Sequence, residues 1–314
     1  MMHLQSMATG SRQKTTITRN PPTSVEYVVV GGGGGGAGNY SGGGGSGEVR
    51  TGTLSIQPLA NYWFQVGGGG SPYSDGYDSY IYVYNVPGQN NAAYEIVSYG
   101  GGRGSQFGYY GTGGHLSVWS THGSGGGGAA YSWNSASLGQ HPGYQHGGSP
   151  QNPPIHSNPY ASWGRIGHAT QYQDVGGGGG GASLANTTTS TTDKDGVDGI
   201  DVSAVNGTSL FLGGGGGGSG YYLYGAQGGN GGGGQGNPNQ YSTYGATDGV
   251  ANTGGGGGGG NEYGGSGRII IAYPSTYDDL FNIYGSSGNW SMSTTQRANY
   301  KVYTFTGSTS LKIG

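Results

Sequence analysis

The chain has 314 residues, 79 of them glycine and 27 tyrosine, with 8% charged residues and a net charge of -3. Glycine at that level, against roughly 7% in ordinary proteins, excludes a leucine-rich globular core. The charge balance excludes a basic nucleic-acid surface, and the lack of cysteine excludes disulfides and thiolate metal sites.

No stretch approaches the ~18 apolar residues of a membrane span, so no membrane insertion is expected. Arginine-Gly-Gly repeats are absent too: Arg103 and Arg268 stand alone in their glycine contexts. Residues 1–20 carry Arg12, Lys14 and Arg19 but no apolar segment, so no secretory signal is expected. Residues 1–24 read as an extended arm ending at Pro21-Pro22.

Residues 25–30, Val-Glu-Tyr-Val-Val-Val, read as a buried strand that runs straight into six glycines at 31–36. The same move recurs at 67–70, 176–181 and 213–218, and further runs lie at 42–45, 125–128, 231–234 and 254–260. A single run of this kind is ordinarily a flexible linker. Collagen is excluded, because there is no strict Gly-X-Y period.

The remaining option is the polyproline-II conformation adopted by glycine. Six residues then make about two turns and span roughly 19 Å, with every backbone N–H and C=O pointing outward. Ordering each glycine costs on the order of 1–2 kcal/mol, whereas an interhelix hydrogen bond returns about 1 and a Cα–H···O contact about 0.5–1. One such helix fails alone; several packed together hold. Eight strand-flanked tracts of four or more glycines suit a bundle. The predicted fold is therefore mainly β and irregular: a bundle, or sandwich, of polyglycine-II helices with short β-strands at its ends and little or no α-helix.

Further strands are predicted at 48–57, 61–66, 79–86, 94–99 and 115–120 from alternation and β-branched or aromatic content. Residues 198–212 also have strand character, and 268–273, Arg-Ile-Ile-Ile-Ala-Tyr, close the glycine-rich region (25–274). Residues 275–314 form a separate C-terminal segment, predicted as a β-hairpin of 300–305 and 310–313 around Thr306-Gly307-Ser308. Residues 131–174 have no period of 2 or 3.6, carry five of the twelve prolines, and read as one long irregular excursion.

The order of motifs is specific. Pro-Pro-Thr-Ser-Val-Glu-Tyr-Val-Val-Val and six glycines (21–36) open the region, and Phe-Gln-Val-Gly-Gly-Gly (64–69) follows. Asp198-Gly199-Ile200 and Asn206-Gly207-Thr208 precede the run at 213–218, and Gly-Gly-Ser-Gly-Arg-Ile-Ile-Ile-Ala-Tyr-Pro (264–274) ends it. This resembles the glycine-rich domain of phage tail-fibre and adhesin proteins, and the tract organisation is similar to the tip adhesins of T-even-like phages. The resemblance implies stacked polyglycine-II helices whose intervening loops contact a host receptor. It also implies a virion location on the tail fibre, with action outside the cell. The implied partners are a tail-fibre protein and a host outer-membrane protein or surface glycan.

Within 131–174 the candidate receptor-binding residues are Tyr131, Trp133, His141, Tyr144, His146, His156, Tyr160 and Trp163. Tyrosine and tryptophan give large contact area at low entropy cost. The competing reading is that these aromatics only cap the ends of a bundle lacking side chains. Tyr73, Tyr77, Tyr80, Tyr109, Tyr110, Tyr221, Tyr222 and Tyr244 read as parts of other loops between runs that could join the same surface.

Five histidines fall between His122 and His168, but none has a tight ligand spacing. Asp193, Asp195 and Asp198 are a calcium candidate without the closing glutamate, against the default of a polar turn. No triad, nucleophile elbow or phosphate loop is present in the sequence, so no enzyme activity and no cofactor are expected. The alternative function is a structural fibre subunit that self-associates through Gly and Tyr surfaces.

Overall fold

The structure is a computed structural model that describes residues 20–57, 60–84, 94–105, 123–127, 158–160, 168–170, 173–182, 194–220, 226–238, 245–279, 282–284 and 288–312. The first strands are β1 (Ser24–Val30), β2 (Val49–Ser55), β3 (Asn61–Gln65), β4 (Ser79–Tyr84) and β5 (Tyr94–Ser98). Then come β6 (Asn158–Tyr160), β7 (His168–Thr170), β8 (Gln173–Val175), β9 (Ile200–Asp201), the four-residue helix α1 (Ser203–Asn206) and β10 (Phe211–Leu212). The last are β11 (Arg268–Pro274), β12 (Asn282–Tyr284), β13 (Trp290–Ser293), β14 (Tyr300–Phe305) and β15 (Thr309–Lys312). The protein is mainly β and irregular, with almost no helix.

Two antiparallel sheets face each other. One has the order β13-β14-β11-β1-β2-β6, the other β12-β15-β3-β4-β5. Val25, Tyr27 and Val29 of β1, with Ile269, Ile271 and Tyr273 of β11, meet Tyr62, Phe64, Ile81 and Val83 across the gap. Phe64 and Phe305 join the sheets edge to face at 4.9 Å. On the far side of the first sheet, Val28, Val30, Ile270 and Ala272 pack under Ala182, Val202 and Leu212. Burial on both faces is why residues 27–30 of β1 and 269–273 of β11 read as unbroken apolar runs.

Two expectations change. Residues 198–212 do not form one strand: β9 and β10 pair around α1. The Asp201 carboxylate accepts N–H bonds from Ser203 and Leu210, and Gly207 closes the turn at φ 88°. That side chain competes locally with a ladder and wins. At the C-terminus, β14 and β15 both form but do not pair with each other. β14 is flanked by β11 and β13, so no edge is left, and residues 306–308 carry β15 across to β3 in the other sheet. The strand expected at 115–120 lies outside the described residues.

The glycine runs form a packed bundle of extended helices in which every third residue bonds to the same neighbour. In helix 31–36, Gly31 and Gly34 donate to Glu48 and Gly45, at 3.0 and 2.8 Å. Gly32 and Gly35 donate to Tyr77 and Ser74, while Gly33 and Gly36 donate to Gly265 and Glu262. Its carbonyls accept from three further segments, through Gly101 and Gly104, Gly70, and Gly257. The period of three is that of the polyproline-II helix, and six surrounding segments are the full hexagonal set. Segments 42–47, 213–219 and 254–259 are surrounded in the same way.

Strand and bundle differ in spacing, so the junction between them leaves backbone groups without ladder partners. Serines fill it. Ser79 Oγ donates to Val30 O at 2.6 Å and accepts from Gly67 N at 2.9 Å. Ser98 Oγ donates to Glu48 O and accepts from Gly31 N at 3.1 Å. Both serines are fully buried.

Glycine is required where helices touch. A Cβ on Gly33 would lie 2.0 Å from Gly255 O, whereas a Cβ on Gly68 would meet nothing nearer than the Tyr77 ring at 3.7 Å. Gly33→Ala is therefore expected to lose at least about 3 kcal/mol, through overpacking against rigid backbone. Gly68→Ala is expected to gain about 0.4–1 kcal/mol, by restricting the unfolded chain. Denaturant midpoints of the two variants check both signs. Ser79→Ala, which leaves the Gly67 N–H without its partner, should cost about 1–3 kcal/mol in the same assay.

Candidate functional site

The hydrogen-bond register fixes which end of each helix is which. Helix 31–36 leaves the sandwich and 42–47 returns to it, pairing 31 with 48 and 34 with 45. By the same registers, residues 37–41, 72–73 and 260–261 turn at the end remote from the sandwich. Gly220 and Ala226, which bound 221–225, also lie there, as do Asn237 and Thr247 near the ends of 239–244. This remote end is the tip.

The excursion begins and ends at the tip. Gly127 bonds to Gly43 and Ser105 at its departure, and Gly176 donates to Ser219 at its return. The hairpin of β7 and β8 leads into that return, with His168 opposite Val175. Between these points the chain visits the opposite end: β6 extends the first sheet, with Tyr160 opposite Val49 and Asn158 opposite Thr51. Tyr160 is thus placed at a sheet edge beside the sandwich. Tyr131, Trp133, His141, Tyr144, His146, His156 and Trp163 lie outside the described residues.

The floor of the tip is fixed by two buried serines. Ser41 N–H donates to Ser219 Oγ at 2.8 Å, Ser219 N–H donates to Ser41 O, and Ser219 Oγ donates to Gly38 O. Beside them, Tyr40 and Tyr73 both take the left-handed conformation, at φ 57° and 63°. Tyr73 is held by its N–H to Gly36 O and by Arg103 Nη1 to its own carbonyl at 3.2 Å. Its ring hydroxyl stands over Gly38, where a Cβ would meet it at 2.5 Å. Tyr73 thus belongs to the tip, whereas Tyr80 lies on β4, in the sandwich, and not in a loop between runs.

Carboxylates clasp the rim. Where two outer helices adjoin and a backbone carbonyl cannot reach, an aspartate Oδ1 accepts the N–H instead. Asp75 accepts from Arg103, Asp78 from Gly100, Asp195 from Gln227, Asp198 from Asn230 and Asp248 from Tyr263, at 2.7–2.9 Å. Asp75-Gly76-Tyr77-Asp78 and Asp195-Gly196-Val197-Asp198 share one pattern because a three-residue turn returns the aspartates to the same face. The intervening glycine faces inward: a Cβ on Gly76 or Gly196 would strike Gly32 O or Gly215 O. Asp195 and Asp198 are therefore engaged by backbone, while Asp193 lies outside the described residues. Among the described residues no group of three or more His, Asp or Glu side chains could hold a metal ion.

Glu262 flanks the Asp248 clasp. Burial, and then its hydrogen bond and charge repulsion with Asp248, push its carboxyl from an ordinary 4.5 up to about 7. Its folded value exceeds its unfolded one, so the protonated acid is the form the fold favours.

With the bundle, its tip and its rim in view, comparison with known proteins gives one match, a glycine-rich domain over residues 9–274. The chain belongs to the glycine-rich domain family. No curated protein and no solved structure matches it.

Two outcomes follow for the rim. Asp195→Ala with Asp198→Ala should lower stability by about 1 kcal/mol per lost bond, and added calcium should leave the melting temperature of the parent chain unchanged. Stability should also fall as pH rises from about 4.5 to about 7, and Glu262→Gln should flatten that slope in a series of thermal melts.

Proposed function

We propose that this chain is a phage tail-fibre adhesin, a virion protein that binds a host cell-surface receptor through aromatic loops carried on the polyglycine-II bundle. The observation that supports this reading is topological. The connectors at 37–41, 72–73, 221–225 and 239–244, and both roots of the 128–175 excursion, leave the bundle at one end. Those segments include Tyr40, Tyr73, Tyr221, Tyr222, Tyr224, Tyr241 and Tyr244, besides Tyr131, Trp133, Tyr144 and Trp163. Connectors of aromatic composition rooted at one end of a rigid scaffold suit a recognition surface.

The opposite end supports the other half of the reading. There the C-terminal strands β13, β14 and β15 are woven into both sheets, giving a firm base for attachment to a tail-fibre protein. The receptor is an outer-membrane protein or a surface glycan. The role is binding, without catalysis.

Replacing 131–157 by a Gly-Ser linker, with β6 retained, tests the reading on particles that carry the chain. Adsorption to the host is expected to fall or change host range, while circular dichroism and melting temperature stay at parent values. Unchanged adsorption by a folded variant would remove the excursion from the receptor site. Filaments of the purified chain in electron micrographs would favour a self-associating fibre subunit instead.

A further inference from the structure

Two tyrosines at the tip hold a backbone conformation that tyrosine disfavours. Among the described residues, those at positive φ that are not glycine are Asn252, Asn261, Asn299, Tyr40 and Tyr73. Asparagine tolerates the left-handed region because its short amide bonds to nearby backbone. A tyrosine Cβ crowds the following carbonyl, and its phenol has no such local bond to offer in return. In a chain with 79 glycines, every other left-handed position described is glycine or asparagine. Both exceptions lie in turns at the tip.

Tyr73 sits in the turn between helix 67–70 and segment 74–78, and that turn is tied down on three sides. The Tyr73 N–H donates to Gly36 O at 3.3 Å, and Arg103 Nη1 donates to its carbonyl at 3.2 Å. Ser74 N–H closes the turn on Ser71 O at 2.9 Å. The tyrosine is 36% exposed, and its hydroxyl makes no hydrogen bond among the described residues. A Cβ on Gly38 would lie 2.5 Å from that hydroxyl and 3.5 Å from Asn261 Oδ1, so the phenol and the amide approach one point. Asn39, Ser71 and Asn261 are exposed in the same turns.

We infer that Tyr73 is a direct receptor contact, held in its left-handed turn to present a preorganised ring and hydroxyl. The inference rests on the proposed role of the tip and names a residue for it outside the 131–174 excursion. A disfavoured backbone conformation persists only where something beyond local geometry rewards it, and such residues gather at ligand contacts. The three ties fix the turn before anything binds, so little ordering cost is left for the binding step. A tyrosine ring with a hydrogen-bonding hydroxyl suits a receptor group that has an apolar face and a polar edge. The competing reward is packing, since the ring also covers Gly38. The two rewards differ in sign: a ring needed for packing stabilises the fold, whereas a ring placed for binding costs stability that asparagine would restore.

Competition separates binding from stability. Intact host cells are mixed with particles that carry the chain, purified full chain is added, and the concentration that halves adsorption is read. The parent chain is expected to compete. Tyr73→Asn is expected to need about tenfold more chain or worse, while its melting temperature equals or exceeds that of the parent. Tyr73→Phe keeps the ring and the turn, and is expected to compete better than Tyr73→Asn.

The inference is overturned if Tyr73→Asn competes as well as the parent. It is also overturned if Tyr73→Asn melts about 5 °C or more below the parent, because the ring then serves the fold. The two failures are distinct. A parent chain that does not compete removes the tip reading and this contact with it. A parent and a Tyr73→Asn chain that compete equally remove this contact alone, and the tip keeps its proposed role.

Discussion

Everything in this protein depends on the hydrogen bond between an N–H of one extended glycine helix and a C=O of the next. The bond needs backbones so close that a Cβ has no room: on Gly36 it would sit 1.9 Å from Gly258 O. Only a chain without side chains on the inner segments can make it, and each helix makes it in three directions at once. The bundle is therefore cooperative, because a helix that loses its neighbours keeps the entropy cost and loses the return. Ordinary hydrophobic packing plays no part inside it.

The apolar core lies in the sandwich at one end. β1, β3, β5, β10 and β11 each join a glycine helix directly, so the sheets set the position and direction of the helices that follow or precede them. This division explains two recurring features. Buried serines collect at the seam, where Ser79 gives the Gly67 N–H the acceptor that neither lattice offers and Ser98 adds a second bond to each of the paired groups Gly31 N–H and Glu48 O. Aspartates collect at the rim, where outer helices have neighbours on one side and run out of carbonyls on the other. Glu48 shows the cost of the seam: it is 4% exposed, and burial raises its carboxyl despite Arg50 Nη2 at 3.0 Å and the Tyr99 N–H.

The sandwich and the tip thereby lie at opposite ends of the bundle. Most glycine helices reverse direction from one to the next, although 100–105 and 123–127 both run toward the tip and 176–181 and 194–198 both run toward the sandwich, and the connectors rich in tyrosine leave from the tip.

The sequence by itself determined the chemistry of the parts. Its glycine runs implied polyglycine-II packing, because no other structure rewards uninterrupted glycine in such number. Its apolar runs at 25–30 and 268–273 implied doubly buried strands. Asp195 and Asp198 fit either a polar turn or a weak calcium site by sequence, and the backbone partners at Gln227 and Asn230 that engage both carboxylates are invisible there. Those partners are 32 residues away, and spacing along the chain carries no record of them. For the same reason only the tertiary structure decided that β14 and β15 part into different sheets and that Tyr160 lies at a sheet edge. It also decided which connectors share the tip. A glycine helix looks alike from either end in sequence; its direction is set by which neighbour its N–H groups find.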